Sequence, residues 1–158
     1  MTQTTSHRTA HVVVGLDRTG SHNHAVLTAG LEQARRSDAD VRIVHAITTD
    51  VALLNVPPDT MARRQQLATR HHHVQAATTD LRRQVDQLGA PDAVQYDVQY
   101  GDPATIILAA AQHADLIVIG THSDSSRRSP LLLGTVSQDI AVHATCPILL
   151  IPTTTPRS

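Results

Sequence analysis

Short β-branched runs alternate with segments of helical periodicity from one end of the chain to the other, and nothing else in the sequence limits its fold as strongly. The runs are His11 to Leu16 (HVVVGL), Val41 to Ile47 (VRIVHAI), Ala93 to Tyr100, Asp115 to Gly120 (DLIVIG) and Pro147 to Ile151 (PILLI). Between the first two, Leu27, Leu31 and Ala34 recur at helical spacing. A second helical segment follows Pro57-Pro58, a third follows Gly101-Asp102-Pro103, and a fourth runs from Thr135 to Ala144. Five strands alternating with four helices predict the α/β class: a three-layer, open, parallel five-stranded sheet of Rossmann-like architecture, with right-handed crossovers and helices on both faces. Ligands of such sheets bind outside the carboxyl ends of the strands, where the strand order reverses. The segments after Leu16 and after Gly120 are therefore the expected site walls.

Local chemistry sharpens several elements. DLIVIG is nearly all apolar, as a central parallel strand buried on both faces must be, whereas Val94, Tyr96 and Val98 alternate with Gln95, Asp97 and Gln99, which suits an edge strand with one wet face. Leu67, Val74, Leu81 and Leu88 fall seven residues apart, predicting a long amphipathic helix whose buried stripe also takes in Met61, Ala77 and Val85. Gly89 with Ala90-Pro91 supplies its stop. Asp102 is placed to cap the next helix, with Pro103 at its first position and Ile106, Ile107, Ala110, Ala111 and Ala114 as its inner stripe.

Composition narrows the function. The 158 residues fit one domain large enough to bury roughly two thirds of the unfolded surface in one core. The chain has no Trp or Phe and only Tyr96 and Tyr100, so aliphatic residues fill the interior and the stacking platforms of single-strand nucleic-acid binders are missing. A formal net charge of -1 gives no overall attraction to nucleic acid or to an anionic membrane. The polar start, Met1 to His11, lacks the apolar core of a signal peptide, and no apolar stretch approaches the roughly 20 residues of a membrane span. A cytoplasmic protein without nucleic-acid or membrane partners is expected. Cys146 is the sole cysteine, which excludes an internal disulfide and suits a reducing compartment. All the basic residues are arginine, so Schiff-base and phosphate-loop lysine chemistry are excluded.

The segment from Gly120 to Ser137 joins a buried strand to a helix and carries most of the chemical information. Thr135 with Gln138 three residues on fits a capping box, and the free N–H groups at that helix start, aided by the dipole, offer an anion site to which Thr135 and Ser137 add hydroxyls. Of the 11 histidines, His71-His72-His73 invite a metal reading. Adjacent helical residues point about 100° apart, so the three cannot converge on one ion, and no metal site is expected. There is no Gly-x-Ser-x-Gly elbow and no HExxH helix, and no catalytic residues are assigned.

Over roughly His11 to Pro152 the sequence resembles the universal stress protein family. The matching pieces are VVVGLD, VRIVHA, YGDPATIILAAAQHADLIVIG and LLLGTVSQDIAVHATCPILLIP, in that order. The resemblance implies an adenine-nucleotide-binding type of sheet with strand order 3-2-1-4-5, in a domain spanning 11–152 between a flexible start (1–10) and a flexible tail (153–158). It implies a stress-response role, a homodimer formed through the last strand, Pro147 to Ile151, and ATP, with or without magnesium, held between the first and fourth strand loops. The family's binding motif is Gly, two residues, Gly, nine residues, Gly and Ser or Thr.

Carried over by position, Gly120 matches the first glycine, Gly134 the third and Thr135 the hydroxyl residue, with Val136 and Ser137 following onto the phosphates. Asp17 matches the aspartate lining the nucleoside pocket, Val41 lies beside the adenine, and Gly15 and Leu16 form the near wall. There are two departures. Ser123 replaces the second glycine, and ten residues rather than nine separate it from Gly134. A serine where backbone must approach phosphate either closes the site or reshapes it. Arg127, with Arg128, stands in the enlarged loop, either pairing with phosphate oxygens or as a solvated basic pair. Asp17 is placed to orient a water or a magnesium ion for slow hydrolysis, although a binding module explains the same residues with less chemistry. The alternative is a dimeric interaction protein of the same fold that binds no nucleotide.

Overall fold

The structure, a computed structural model, describes residues 9–16, 20–48, 56–91, 93–121 and 134–152. Five strands and four helices alternate: β1 His11–Leu16, α1 Gly20–Ser37, β2 Asp40–Ile47, α2 Met61–Gln87, β3 Val94–Tyr100, α3 Pro103–Ala110, β4 Leu116–Thr121, α4 Thr135–His143 and β5 Ile148–Pro152. The sheet is parallel throughout, in the order β3-β2-β1-β4-β5. In register, Val12 lies opposite Val41 on one side and Leu116 on the other. The order reverses between β1 and β4, so the carboxyl ends of those two strands, Leu16 and Gly120-Thr121, flank the switch point.

Because side chains alternate across a strand, the two faces of the sheet carry separate cores. Val12, Val14, Leu16, Val41, Ile43 and Val118 pack with Leu27, Leu31 and Ala34 of α1 and with Leu81 and Val85 of α2. On the opposite face Val13, Val44, Ile117 and Ile119 pack with Ala104, Ile107 and Ala111 at α3 and Ile140 of α4. β1 and β4 feed both cores, which is why HVVVGL and LIVIGT are apolar at successive positions. β3, an edge strand, presents only Val94, Tyr96 and Val98 to the α1/α2 core. Its alternation in sequence reflects that one-sided burial.

The helix ends follow the sequence chemistry. Asp102 caps α3: its carboxylate accepts from the Thr105 N–H at 2.9 Å and from the Thr105 hydroxyl at 2.7 Å, and Pro103 opens the helix. Those two bonds, the hydroxyl's first, hold the Asp102 carboxyl below its ordinary pKa. α2 ends at Leu88, and Gly89 follows with φ +69°, a left-handed conformation that glycine adopts without steric cost. Arg35, in the last turn of α1, donates to the Leu88 carbonyl at 2.9 Å and also to that of Gly89, tying the two helices together at the amino edge of the sheet.

The buried stripe expected along all of α2 holds only in its second half. Leu81 and Val85 are buried, but Leu67 is 53% exposed and Met61 is 71% exposed. The reason is length: 27 residues of helix span ~40 Å, while the seven residues of β3 beneath span ~23 Å. The amino-terminal half of α2 overhangs the carboxyl edge of the sheet. Met61 also falls on the opposite side of the helix from Leu81 at about 100° per residue. Where α2 crosses the sheet edge, His73 Nδ1 lies 3.0 Å from the Tyr100 hydroxyl and the Arg70 guanidinium sits 5.0 Å from the centre of that ring.

Candidate functional site

At the carboxyl ends of β1 and β4, on the α3/α4 face, a cleft is lined by Gly15, Leu16, Pro103, Ile107, Ile119, Gly120, Val136 and Ser137. Four elements meet there, and the reason is topological: β1 and β4 end at the switch point, and α3 and α4 both begin at the same edge. Gly15 permits the convergence. A Cβ there would lie 2.7 Å from Ile107 Cδ1 and 2.9 Å from Ile119 Cγ2, so any larger residue would push α3 away from the sheet. With a volume of about 30 Å³, against roughly 300 Å³ for the smallest drug-sized pockets, the cleft is a floor for a ligand rather than an enclosure.

The two helix starts beside it differ in their capping. That of α3 carries the Asp102 carboxylate, which already takes the Thr105 N–H. That of α4 begins at Gly134, whose backbone is extended (φ −60°, ψ 159°) and which supplies no side-chain acceptor. The capping box expected from Thr135 and Gln138 does not form. Gly134 takes the cap position, the Gln138 N–H bonds to the Gly134 carbonyl at 2.9 Å, and Thr135 becomes the first helical residue. The opening N–H groups of α4, at Thr135, Val136 and Ser137, have no intrahelical partner, and the helix dipole places partial positive charge on them. Ser137 is buried, and its hydroxyl donates to the Gly120 carbonyl at 3.3 Å. Its contribution to an anion is thus the backbone N–H, while its side chain fixes α4 against the end of β4.

Gly15, Leu16, Gly120, Gly134, Thr135, Val136 and Ser137 are therefore gathered around one edge of the molecule. Val41 is not. It pairs with Val12 at the amino end of β2, buried in the α1/α2 core, ~16 Å along the strand from the carboxyl edge. The β2 residue at that edge, on the same face as Gly15, is the buried Ala46. Asp17, Ser123, Arg127 and Arg128 lie outside the described residues. Sequence reasoning missed Ile107, Ile119 and Pro103 as lining residues: the Gly-Asp-Pro turn signalled a helix start, but only the sheet order brings that start beside β1.

His71, His72 and His73 are exposed on the overhanging half of α2. No group of three or more His, Cys, Asp or Glu that could hold a metal ion occurs among the described residues. Among those residues, too, no helix is long and apolar enough to cross a membrane.

A model of the universal stress protein family matches residues 9–152, nearly the whole chain. The chain belongs to the universal stress protein family. Solved structures similar to it include the universal stress protein UspA from Lactobacillus plantarum, at 22% identity and a TM-score of 0.66, covering 91% of this chain and 98% of that one. A universal stress protein in complex with cAMP matches at 22% identity and a TM-score of 0.62, covering 92% and 98%. One from Archaeoglobus fulgidus in complex with dAMP matches at 19% identity and a TM-score of 0.55, covering 91% and 98%. At these identities the likeness is one of fold.

Proposed function

We propose that this universal stress protein binds an adenine nucleotide at the carboxyl edge of its sheet and acts as a regulatory binding module. ATP, with or without magnesium, is the expected ligand. The observation that carries the reading is the start of α4. It is a helix amino terminus without a capping side chain, directed to the cleft between β1 and β4, next to a second helix start that is already neutralised by Asp102. Phosphate oxygens suit the N–H groups of Thr135, Val136 and Ser137, and the Thr135 hydroxyl adds a donor. Gly15, Leu16 and Gly120 form the floor, and Ala46 replaces Val41 as the β2 residue nearest the base. Asp17, Ser123 and Arg127 are assigned to the site by motif position alone. Related proteins solved with cAMP and dAMP support the choice of ligand class.

The protein is read as a cytoplasmic stress-response homodimer that pairs through Pro147 to Ile151. β5 stands at the edge of the sheet with half-buried Ile148, Leu149, Leu150 and Ile151. An apolar edge of that kind invites self-association, and two-fold pairing would cover it.

The test has two parts. Protein purified without added nucleotide is denatured and any released adenine compound identified by mass spectrometry; ATP with magnesium is then added to the empty protein in a thermal shift assay. A ligand at a hundredfold its Kd stabilises by about 2.7 kcal/mol, which for a domain of this size raises Tm by roughly 5–10 °C. The rise should vanish in Gly134→Phe and Thr135→Phe. An empty protein with no shift at millimolar ATP would reject nucleotide binding. It would favour the second reading, a dimeric interaction protein, which Ser123 in place of the motif glycine and the tenth loop residue already support.

A further inference from the structure

A larger cavity, of about 340 Å³, lies at the opposite edge of the sheet, where the strands begin. Its origin is a mismatch of lengths. α3 has eight residues and spans ~12 Å, whereas the eight residues of β2 that it crosses span ~26 Å. α3 enters at the carboxyl edge and stops short, its final two residues are the alanines Ala109 and Ala110, and Ala114 lies beyond. The amino halves of β2 and β3 on that face are left without a helix above them. The cavity has an apolar floor, in which Val13 joins those alanines, a polar wall of the exposed Arg42 and Gln95, and Gln112 and His113 on the side beyond α3.

Arg42 is the unusual member. β2 lies between β1 and β3, where both neighbours of a residue are other strands, and Val41, Ile43, Val44 and Ala46 are buried there and His45 half-buried, whereas Arg42 is exposed. Arg42 pairs in register with Gln95 of β3, and both its Nε and Nη2 donate to the Gln95 side-chain oxygen, at 3.2 and 2.9 Å. A neutral amide thus orients the guanidinium without neutralising it, and Nη1 takes no part in those bonds. Asp40 is the one carboxylate in the lining, and it faces His11, whose Nδ1 is 3.8 Å from its Oδ2.

We propose that this cavity is a second ligand site, distinct from the carboxyl-edge cleft, for a small organic carboxylate with an apolar body. The body rests on Val13 and the alanines, and the carboxylate takes the remaining donors of Arg42, whose planar fork matches it. The cavity falls within the size range of small-molecule pockets, which are mainly apolar with a few oriented polar groups. It does not depend on nucleotide binding at the other edge.

Benzoate is the probe, with benzamide as its uncharged counterpart, read by amide chemical shifts in two-dimensional NMR of the full chain. Benzoate should give saturable shifts at His11, Arg42, Gln95 and Ala110 and none at Thr135 or Val136. Arg42→Gln should weaken binding by about tenfold or more, as loss of a charge-assisted hydrogen bond requires. Ala109→Leu, a change that an exposed helical position tolerates and that fills the floor, should abolish binding while Arg42 remains. The variants' unperturbed shifts elsewhere verify that they fold. Non-saturating shifts, equal binding of benzamide, equal binding to Arg42→Gln, or shifts confined to the α4 start would each overturn the proposal.

Discussion

Replacing Gly15 with alanine tests the packing on which the carboxyl-edge cleft rests. The new Cβ would stand 2.7 Å from Ile107 Cδ1, 3.2 Å from Ile107 Cγ1 and 2.9 Å from Ile119 Cγ2. Gly15 is not among the glycines with positive φ, so alanine meets no backbone strain there. Overpacking of this kind costs roughly 1–3 kcal/mol, and the lower entropy of the unfolded alanine chain returns about 0.4–1 kcal/mol. The net loss is roughly 1–2 kcal/mol, a drop in Tm of about 3–6 °C for a chain of this length. The contact with Ile107 can be relieved separately, since Ile107→Val removes Cδ1. Alone, that change should cost about 1 kcal/mol; combined with Gly15→Ala it should cost much less, giving a favourable coupling on the order of 1 kcal/mol. Urea denaturation followed by circular dichroism measures all four corners of the cycle. A Gly15→Ala protein as stable as the parent, or a strictly additive double variant, would refute the close approach of α3 to β1.

Three further outcomes follow from the geometry. Asp102→Ala should lower stability by about 1 kcal/mol through loss of the α3 cap. The folded carboxyl titrates below its ordinary value, so the cap's contribution is intact above the unfolded pKa near 4 and is lost as pH falls through the folded one. Asp102→Asn should flatten that acid limb in thermal melts, and an unchanged limb would remove Asp102 from the account. Burial, and secondarily the Asp115 charge, push the Cys146 thiol above its ordinary pKa; at neutral pH it should react with iodoacetamide more slowly than free glutathione, and faster labelling would contradict that environment. Ile151→Asp on β5 should give monomers or insoluble protein by light scattering if copies pair through that edge, and a soluble dimer unchanged by the substitution would place the interface elsewhere.

The alternation of strands and helices was legible because burial imposes different periods on each: LIVIG had to be apolar throughout, and VQYDVQY alternates because one of its faces is wet. Asp102, Pro103 and Gly89 were legible because caps and stops depend on a few adjacent atoms. What escaped depends on distances between elements. Periodicity marked Leu67 as part of a buried stripe, yet whether a helical residue finds a core depends on how far the sheet beneath it extends. Thr135 and Gln138 had the spacing of a capping box, but Gly134 is extended and takes the cap first. Val41 is apolar and buried, but it lies at the start of its strand, and pairing with Val12 puts it at the wrong end for the cleft. Arg42 read as one residue of a strand; its meaning depends on Gln95 opposite and on a helix too short to cover it.

The reversal of strand order between β1 and β4 also governs how the molecule assembles. From β1 through β3 each strand pairs with the next after a single crossover, and β4 pairs likewise with β5. The strand hydrogen bonds joining these two halves lie along β1 and β4, whose partners, such as Val12 and Leu116, stand about a hundred positions apart in the chain. Such distant closure costs more loop entropy than the pairings within each half. The carboxyl-edge cleft straddles that junction, with Gly15 and Leu16 from one half and Ile119, Gly120 and Ser137 from the other. Neither half carries it alone. A molecule held there binds only the joined state, and so acts as a clasp that opposes separation of the halves in proportion to its concentration.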